Sequence, residues 1–275
     1  MKLLKIELKK IVTYRTFWII FGLYFAFLAL GIILAEFIVN AMVDDINKRL
    51  PIPLPHAVLF NFPDIWQNLT FFASIRYVLI FPAILIIILI TNEFTNKTVR
   101  QNIINGMSRS EFLISKLQLV LLLALVITVV LTIVIFILGI AHSDIQNISQ
   151  LFVRFSFVPG FFVQMVSFLC YALFFGFLFR NTGLTIALFT LYCLIIEPVI
   201  YFFLRAPFIW ENKIYPYLPV NAVIRVVEYP AIPALKKLMN FQLQEGISLI
   251  ACGTPILYSA LMIGIIFWSF NKRDL

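Results

Sequence analysis

From Leu117 to Ile140 the chain reads LQLVLLLALVITVVLTIVIFILGI, without a charged residue. A spanning helix needs about 20 mostly apolar residues, because it rises ~1.5 Å per residue and the hydrocarbon core is ~30 Å thick. This run is long enough. Lipid offers no water to backbone polar groups, so a helix, whose backbone bonds within itself, is the structure that suits it. A β-barrel uses short alternating strands, whereas the apolar runs here are long and continuous.

Five further runs behave in the same way. The predicted spans are 16–39, 72–91, 117–141, 155–179, 183–204 and 247–270. Only 12% of residues are charged and 62% are hydrophobic, against about 25% charged in soluble domains. So little polar surface cannot cover a globule in water. The start, MKLLKIELKKIVTYR, is basic, but a run long enough to span follows it and no small-residue cleavage site is evident, so the first span is expected to remain. The expected fold is an all-α integral membrane protein of six transmembrane helices, forming one domain over residues 1–275.

The formal net charge is +8. Lys and Arg cluster beside the spans, so we read this charge as membrane orientation rather than as a nucleic-acid surface. One side carries Lys2, Lys5, Lys9, Lys10, Arg15, Lys97, Arg100, Arg109, Lys116, Arg180, Lys272 and Arg273 in short segments. The other spreads its basic residues over longer loops. The denser side is expected to be cytoplasmic, which places both termini there in the cytoplasmic membrane. Residues 1–15 are expected to form a separate interfacial helix, with Leu4, Leu8, Ile11 and Val12 on one face and Lys2, Lys5, Lys9 and Thr13 on another. Such a helix lies on the bilayer and meets anionic lipid headgroups. The long outer segment 205–246 alternates aromatics, prolines and short apolar pieces. It fits either short re-entrant helices covered by protein or a cap resting on the membrane.

Chemistry-bearing motifs are absent. No G-x-x-x-x-G-K-[ST], H-E-x-x-H or G-x-S-x-G occurs, so this chain is expected neither to hydrolyse ATP by a P-loop nor to be an enzyme of those classes. Cys170, Cys193 and Cys252 fall in apolar runs and read as small hydrophobes. His56 and His142 have no ligand-spaced partners, so no metal site is expected. Glu197 stands out: it sits deep in the fifth span, followed by Pro198. An acid there is costly and therefore paired or functional, and the proline removes a donor and favours a kink. Two readings stand: a polar element of a transport path or gate, or a buried ion pair with Arg76, Arg154 or Arg205.

Between spans two and three lies NEFTNKTVRQNIINGMSRSEF, residues 92–112. Thr91 or Asn92 is expected to cap a short helix over 92–107, with Glu93 at its positive end. Val99, Ile103 and Met107 recur at i, i+4 and i+8, with Ile104 beside them, as a narrow apolar stripe. Gly106 suits a stop, and Ser108 with Glu111 forms a capping box that opens the third span. The stripe needs a cover: the bilayer, the chain's N-terminal helix, or another protein, and the third is the expectation carried forward.

The order Glu93, Thr98, Arg100, Gly106, Ser108, Arg109 and Lys116 resembles the first cytoplasmic loop of bacterial ABC type-2 exporter permeases, among them those of sodium, bacitracin and lantibiotic efflux systems. The tail, Phe270, Arg273, Asp274 and Leu275, resembles endings in that group, and the layout of interfacial helix, six spans and long last outer loop is similar. Lys97 stands where the group often has Gly, and Gly106–Met107 where it often has Pro. The resemblance implies a dimer of permease chains that carry no ATPase and no cofactor. ATP and Mg would be bound by a separate cytoplasmic ATP-binding subunit docked on this loop. Glu93 would open the coupling helix, Arg100 and Arg109 would meet acidic groups on the partner, and the Val99, Ile103 and Met107 stripe would fill its groove. The competing functions are a secondary transporter with Glu197 in ion coupling, and a membrane-embedded enzyme of lipid metabolism.

Overall fold

The computed structural model describes residues 2–49, 59–143, 149–205, 215–227 and 246–272. Most of the 205–246 segment and the tail residues Arg273, Asp274 and Leu275 lie outside them. Among the described residues every regular element is helical. In order these are α1 (Lys2–Thr13), α2 (Arg15–Arg49), α3 (Ile65–Ala73), α4 (Arg76–Thr95), α5 (Thr98–Ile104), α6 (Arg109–His142), α7 (Ser149–Phe152) and α8 (Phe157–Phe179). Then come α9 (Thr182–Leu191), a π-helical turn (Tyr192–Ile196), α10 (Glu197–Arg205), a 3-10 turn (Tyr215–Tyr217), α11 (Pro219–Ile224) and α12 (Leu249–Lys272).

Six of these are long and apolar enough to cross a membrane: α2, α4, α6, α8, the continuous stretch Thr182–Leu204, and α12. The chain is thus a multi-pass membrane protein. At ~1.5 Å per residue α2 and α6 are each roughly 50 Å long, well beyond the ~30 Å hydrocarbon core. The far end of α2 is accordingly polar, with Asp45 and Arg49 paired at 2.9 Å.

α8 is the hub. It packs against α4, α6, α12 and α9, and Phe161, Met165, Phe168, Leu169 and Leu173 are fully buried along it. By contrast the fifth span and α12 expose much of their apolar surface, for example Phe202 and Phe203 on one and Leu257 and Trp268 on the other. That is the surface expected where the surrounding solvent is itself apolar.

The second span differs from its predicted bounds. The apolar sequence runs on from Phe71, but the helix breaks at Ser74 and Ile75. Ser74 donates its hydroxyl to the Thr70 carbonyl (2.5 Å) and to Gln164 Oε1 (2.8 Å), and Ile75 is extended. The residues before the break form α3, which is buried from Ile65 to Thr70 and packs against α6 and α8. Its polar groups are therefore satisfied from within: Asn68 donates to the Leu59 carbonyl (3.0 Å) and Gln67 accepts from Arg154 (3.0 Å). Arg154 also pairs with Asp64 at 2.7 Å. Burial pushes the Asp64 carboxyl up, and Arg154 offsets this only in part. Gly139 on α6 leaves the room that the Phe62 ring occupies.

Trp66 anchors this corner. It is fully buried, donates its indole N–H to the Leu151 carbonyl (2.7 Å), and meets Phe136 and Phe155 edge to face at 5.0 and 5.2 Å. Trp66→Ala removes a large side chain and orphans that carbonyl. It is expected to cost about 3–5 kcal/mol, read as a lowered denaturation midpoint of the purified protein, whereas Trp268→Ala on the exposed face of α12 should shift it little.

Candidate functional site

α5 is too short to be stable alone, so its ends must be held. At its start Lys97 adopts the left-handed conformation, φ 56°, a backbone state that favours glycine. At its end Gly106 is also left-handed, φ 97°. The predicted capping box follows: the Glu111 N–H donates to Ser108 Oγ (3.1 Å) and the Ser108 N–H to Glu111 Oε2 (2.8 Å). The corner between α5 and α6 is therefore built as the sequence indicates.

The start of α5 is not. Thr91, Asn92 and Glu93 belong to the last turns of α4 rather than to a cap. Thr91 shares a hydrogen bond with Thr182 (2.8 Å), and Asn92 donates to the Tyr14 hydroxyl (2.9 Å) and accepts from Thr182 (3.3 Å). These side chains are committed to tertiary partners, so they do not terminate the helix, and α4 runs on to Thr95.

Glu93 therefore does not open α5. It accepts at Oε1 from Lys116 of α6 (2.7 Å) and Lys10 of α1 (3.2 Å). Lys116 also donates to Glu7 of α1 (2.8 Å), and Lys10 lies 3.7 Å from the same Glu7 oxygen. Two carboxylates and two ammoniums thus form a neutral set joining α1, α4 and α6. Lys116 is 1% exposed and also lies over the Phe112 ring at 5.0 Å. Burial alone would lower the Lys10 ammonium, but Glu93 and Glu7 together outweigh it, and its pKa lies above the usual lysine value. Sequence reading assigned Lys116 to membrane orientation and missed this cluster. The signal was Glu7, the single acid among the first 35 residues, set in an otherwise basic helix.

The apolar stripe is covered by the chain itself. Val99 is 2% exposed, and Ile103 and Met107 are half-buried against the same core. Arg109 is likewise engaged, donating to the Phe270 (3.0 Å) and Asn271 (2.8 Å) carbonyls at the end of α12. A cation there satisfies acceptors that a helix end leaves open and suits its negative pole. Phe270 in turn packs against Phe94, Phe112 and Phe177 at 6.4, 5.8 and 5.4 Å, so α4, α6, α8 and α12 converge under α5. Of the predicted docking residues, Arg100 alone is exposed. Beside it Ile104, which the sequence places next to the stripe, is not covered with it and is 75% exposed.

At the opposite end, Glu197 is fully buried. Its two oxygens accept the backbone N–H groups of Asn221 (2.6 Å) and Val220 (3.0 Å), at the start of α11. It is a carboxylate cap supplied by another helix. Arg76 does not pair with it directly, donating instead to Asn221 Oδ1 (2.7 Å) and to the Cys193 carbonyl (2.6 Å). Pro198 explains the second bond. In the π turn the Glu197 N–H reaches the Tyr192 carbonyl. The next carbonyl, that of Cys193, faces a proline without an N–H, and Arg76 supplies the missing donor. The expected proline kink is realised as a π bulge.

The chain matches no protein-family model, and no curated protein is significantly similar to it.

Two substitutions test these fastenings. Lys116→Met leaves two buried carboxylates with one cation and is expected to destabilise by about 3–5 kcal/mol. Adding Glu7→Gln restores neutrality and should recover part of that loss in the same unfolding measurement. Glu197→Gln turns an amide N–H toward one of the two backbone donors. It should cost about 1–3 kcal/mol, read as earlier thermal unfolding, and digestion of the α10–α11 region by protease should quicken with it.

Proposed function

We propose that this chain is the transmembrane permease subunit of an ABC exporter, docking a separate cytoplasmic ATP-binding subunit through α5. The observation that carries the reading is the outer face of α5. A short helix fastened at both ends holds Arg100 and the largely exposed Ile104 away from the core, beside the Gly106–Ser108 corner. Outside the spans, an apolar side chain next to a cation is a surface suited to a protein partner with an apolar hollow and an acidic rim. The resemblance of residues 93–116 to the coupling loop of ABC type-2 permeases points the same way.

The docking set differs from the one first expected. Arg100 and Ile104 make the contact, Val99, Ile103 and Met107 fix α5 to the permease, Glu93 ties α4 to α1, and Arg109 caps α12. ATP and Mg belong to the partner. Basic residues of α1, α5, α6 and the ends of α8 and α12 gather at one end of the bundle, which by the positive-inside rule faces the cytoplasm. Glu197 accepts a backbone N–H of α11 at each oxygen, which supports a structural role for it over ion coupling. The proposed assembly contains two copies of the permease.

The test is co-purification from native membranes. An ATP-hydrolysing protein should accompany the wild-type chain. The pair Arg100→Glu and Ile104→Asp should weaken that association at least about thirtyfold, as loss of roughly 2 kcal/mol at an interface hot spot would, while leaving the permease's own unfolding midpoint unchanged. Retention of the partner by this variant, or absence of any such protein from the wild type, rejects the reading.

A further inference from the structure

At the α5 end, α1 does not close fully onto the spans beneath it. A cavity of about 180 Å³ remains, lined among others by Leu8 and Val12 of α1, Trp18 and Phe21 of α2, Leu89 of α4 and Leu122 of α6. Every lining side chain is apolar. Water would find no hydrogen-bond partner there, and left empty the space would forfeit the contacts that close packing otherwise supplies. An apolar cavity of about 150 Å³ accepts a six-carbon ring, so this one has room for a comparable length of hydrocarbon. Val12, Trp18 and Val126 on its rim are exposed, so the cavity opens sideways along the faces that meet lipid. The Trp18 indole donates to the Val12 carbonyl (2.9 Å), which fixes the wall at the α1–α2 corner.

Charge selects the headgroup. Lys9 and Arg15 are both exposed, each within a helical turn of a lining residue. The nearest acid on α1, Glu7, is committed to Lys116 (2.8 Å). The mouth therefore presents cations to the interface without competing carboxylates.

We propose that this cavity holds one acyl chain of an anionic glycerophospholipid whose phosphate is met by Lys9 and Arg15. The lipid completes the packing of α1 on α2, α4 and α6, and so steadies the helix that contributes Glu7 and Lys10 to the ionic set. This proposal does not depend on the exporter reading.

The experiment uses the full chain, purified in detergent and stripped of lipid, with phosphatidylglycerol or phosphatidylcholine added back. Phosphatidylglycerol should raise the unfolding midpoint about 4 °C or more above phosphatidylcholine, and mass spectrometry under native conditions should find one such lipid per chain. Leu122→Trp fills the cavity and should abolish the lipid-dependent rise while keeping the lipid-free midpoint. If that variant fails to fold, Leu8→Phe serves the same purpose. The pair Lys9→Gln and Arg15→Gln should keep a rise with either lipid and lose the preference between them. Equal responses of the wild type to the two lipids, no response at all, or a full phosphatidylglycerol rise in the filled variant would overturn the proposal.

Discussion

The ammonium of Lys116 has lost water, and Glu7 and Glu93 replace it at 2.8 and 2.7 Å. Burying an ion without partners costs several kcal/mol even after relaxation, so the three helices that bring these groups together cannot drift apart independently. α1 would otherwise be an amphipathic helix loosely laid on a bilayer. The ionic set gives it a fixed address against the end of α4 and the start of α6. Neutrality matters as much as proximity: with the partly exposed Lys10 as the second cation, two positive and two negative groups share the site, and the buried Lys116 is answered by both carboxylates.

The opposite end solves the same problem with backbone rather than ions. α11 is a short helix whose first N–H groups would be orphans in an apolar setting, and Glu197 accepts two of them. Pro198 creates a further vacancy one residue on, and Arg76 fills it at the Cys193 carbonyl. Asn221 then links the two, its N–H going to Glu197 and its Oδ1 accepting from Arg76. Residues that look from sequence like elements of a polar path are thus consumed in holding α4, the fifth span and α11 to one another. α3 repeats the pattern: Gln67 and Asn68 are answered by Arg154 and the Leu59 carbonyl, and Thr70 by carbonyls of its own helix.

What was legible in the sequence was whatever depends on local chemistry. Six long apolar runs gave six long helices, because hydrophobic length alone decides that outcome. Ser108 and Glu111 gave their capping box because the motif closes within four residues. Tertiary choices were not legible. The Val99, Ile103 and Met107 stripe told correctly that one face of α5 is apolar, but periodicity does not say what covers a face, and here the chain's own core does. Thr91 and Asn92 are good caps in isolation, yet Thr182 and Tyr14 claim them and α4 continues. Arg109 lies next to the loop in sequence and was read with it, while its acceptors are more than 150 residues away on α12. The α3–α4 break was marked only by Ser74 and Arg76, and an apolar run with two polar residues in it does not say whether the helix continues.

These fastenings bear on how α5 would act if a partner pulls on it. A seven-residue helix has little stability of its own, and it is held by a left-handed residue on the α4 side and a capping box on the α6 side. Displacing Ile104 and Arg100 therefore displaces the ends of α4 and α6, not α5 alone. Those two ends carry Glu93 and Lys116, which share one hydrogen bond at 2.7 Å. A switch between two arrangements would thus have to keep these charges paired by exchanging partners among Glu7, Lys10, Glu93 and Lys116, because opening the set would strand a buried charge. Glu93 keeps one carboxylate oxygen buried without a hydrogen bond, a second acceptor position that Lys10 or Lys116 could take up without either charge passing through water.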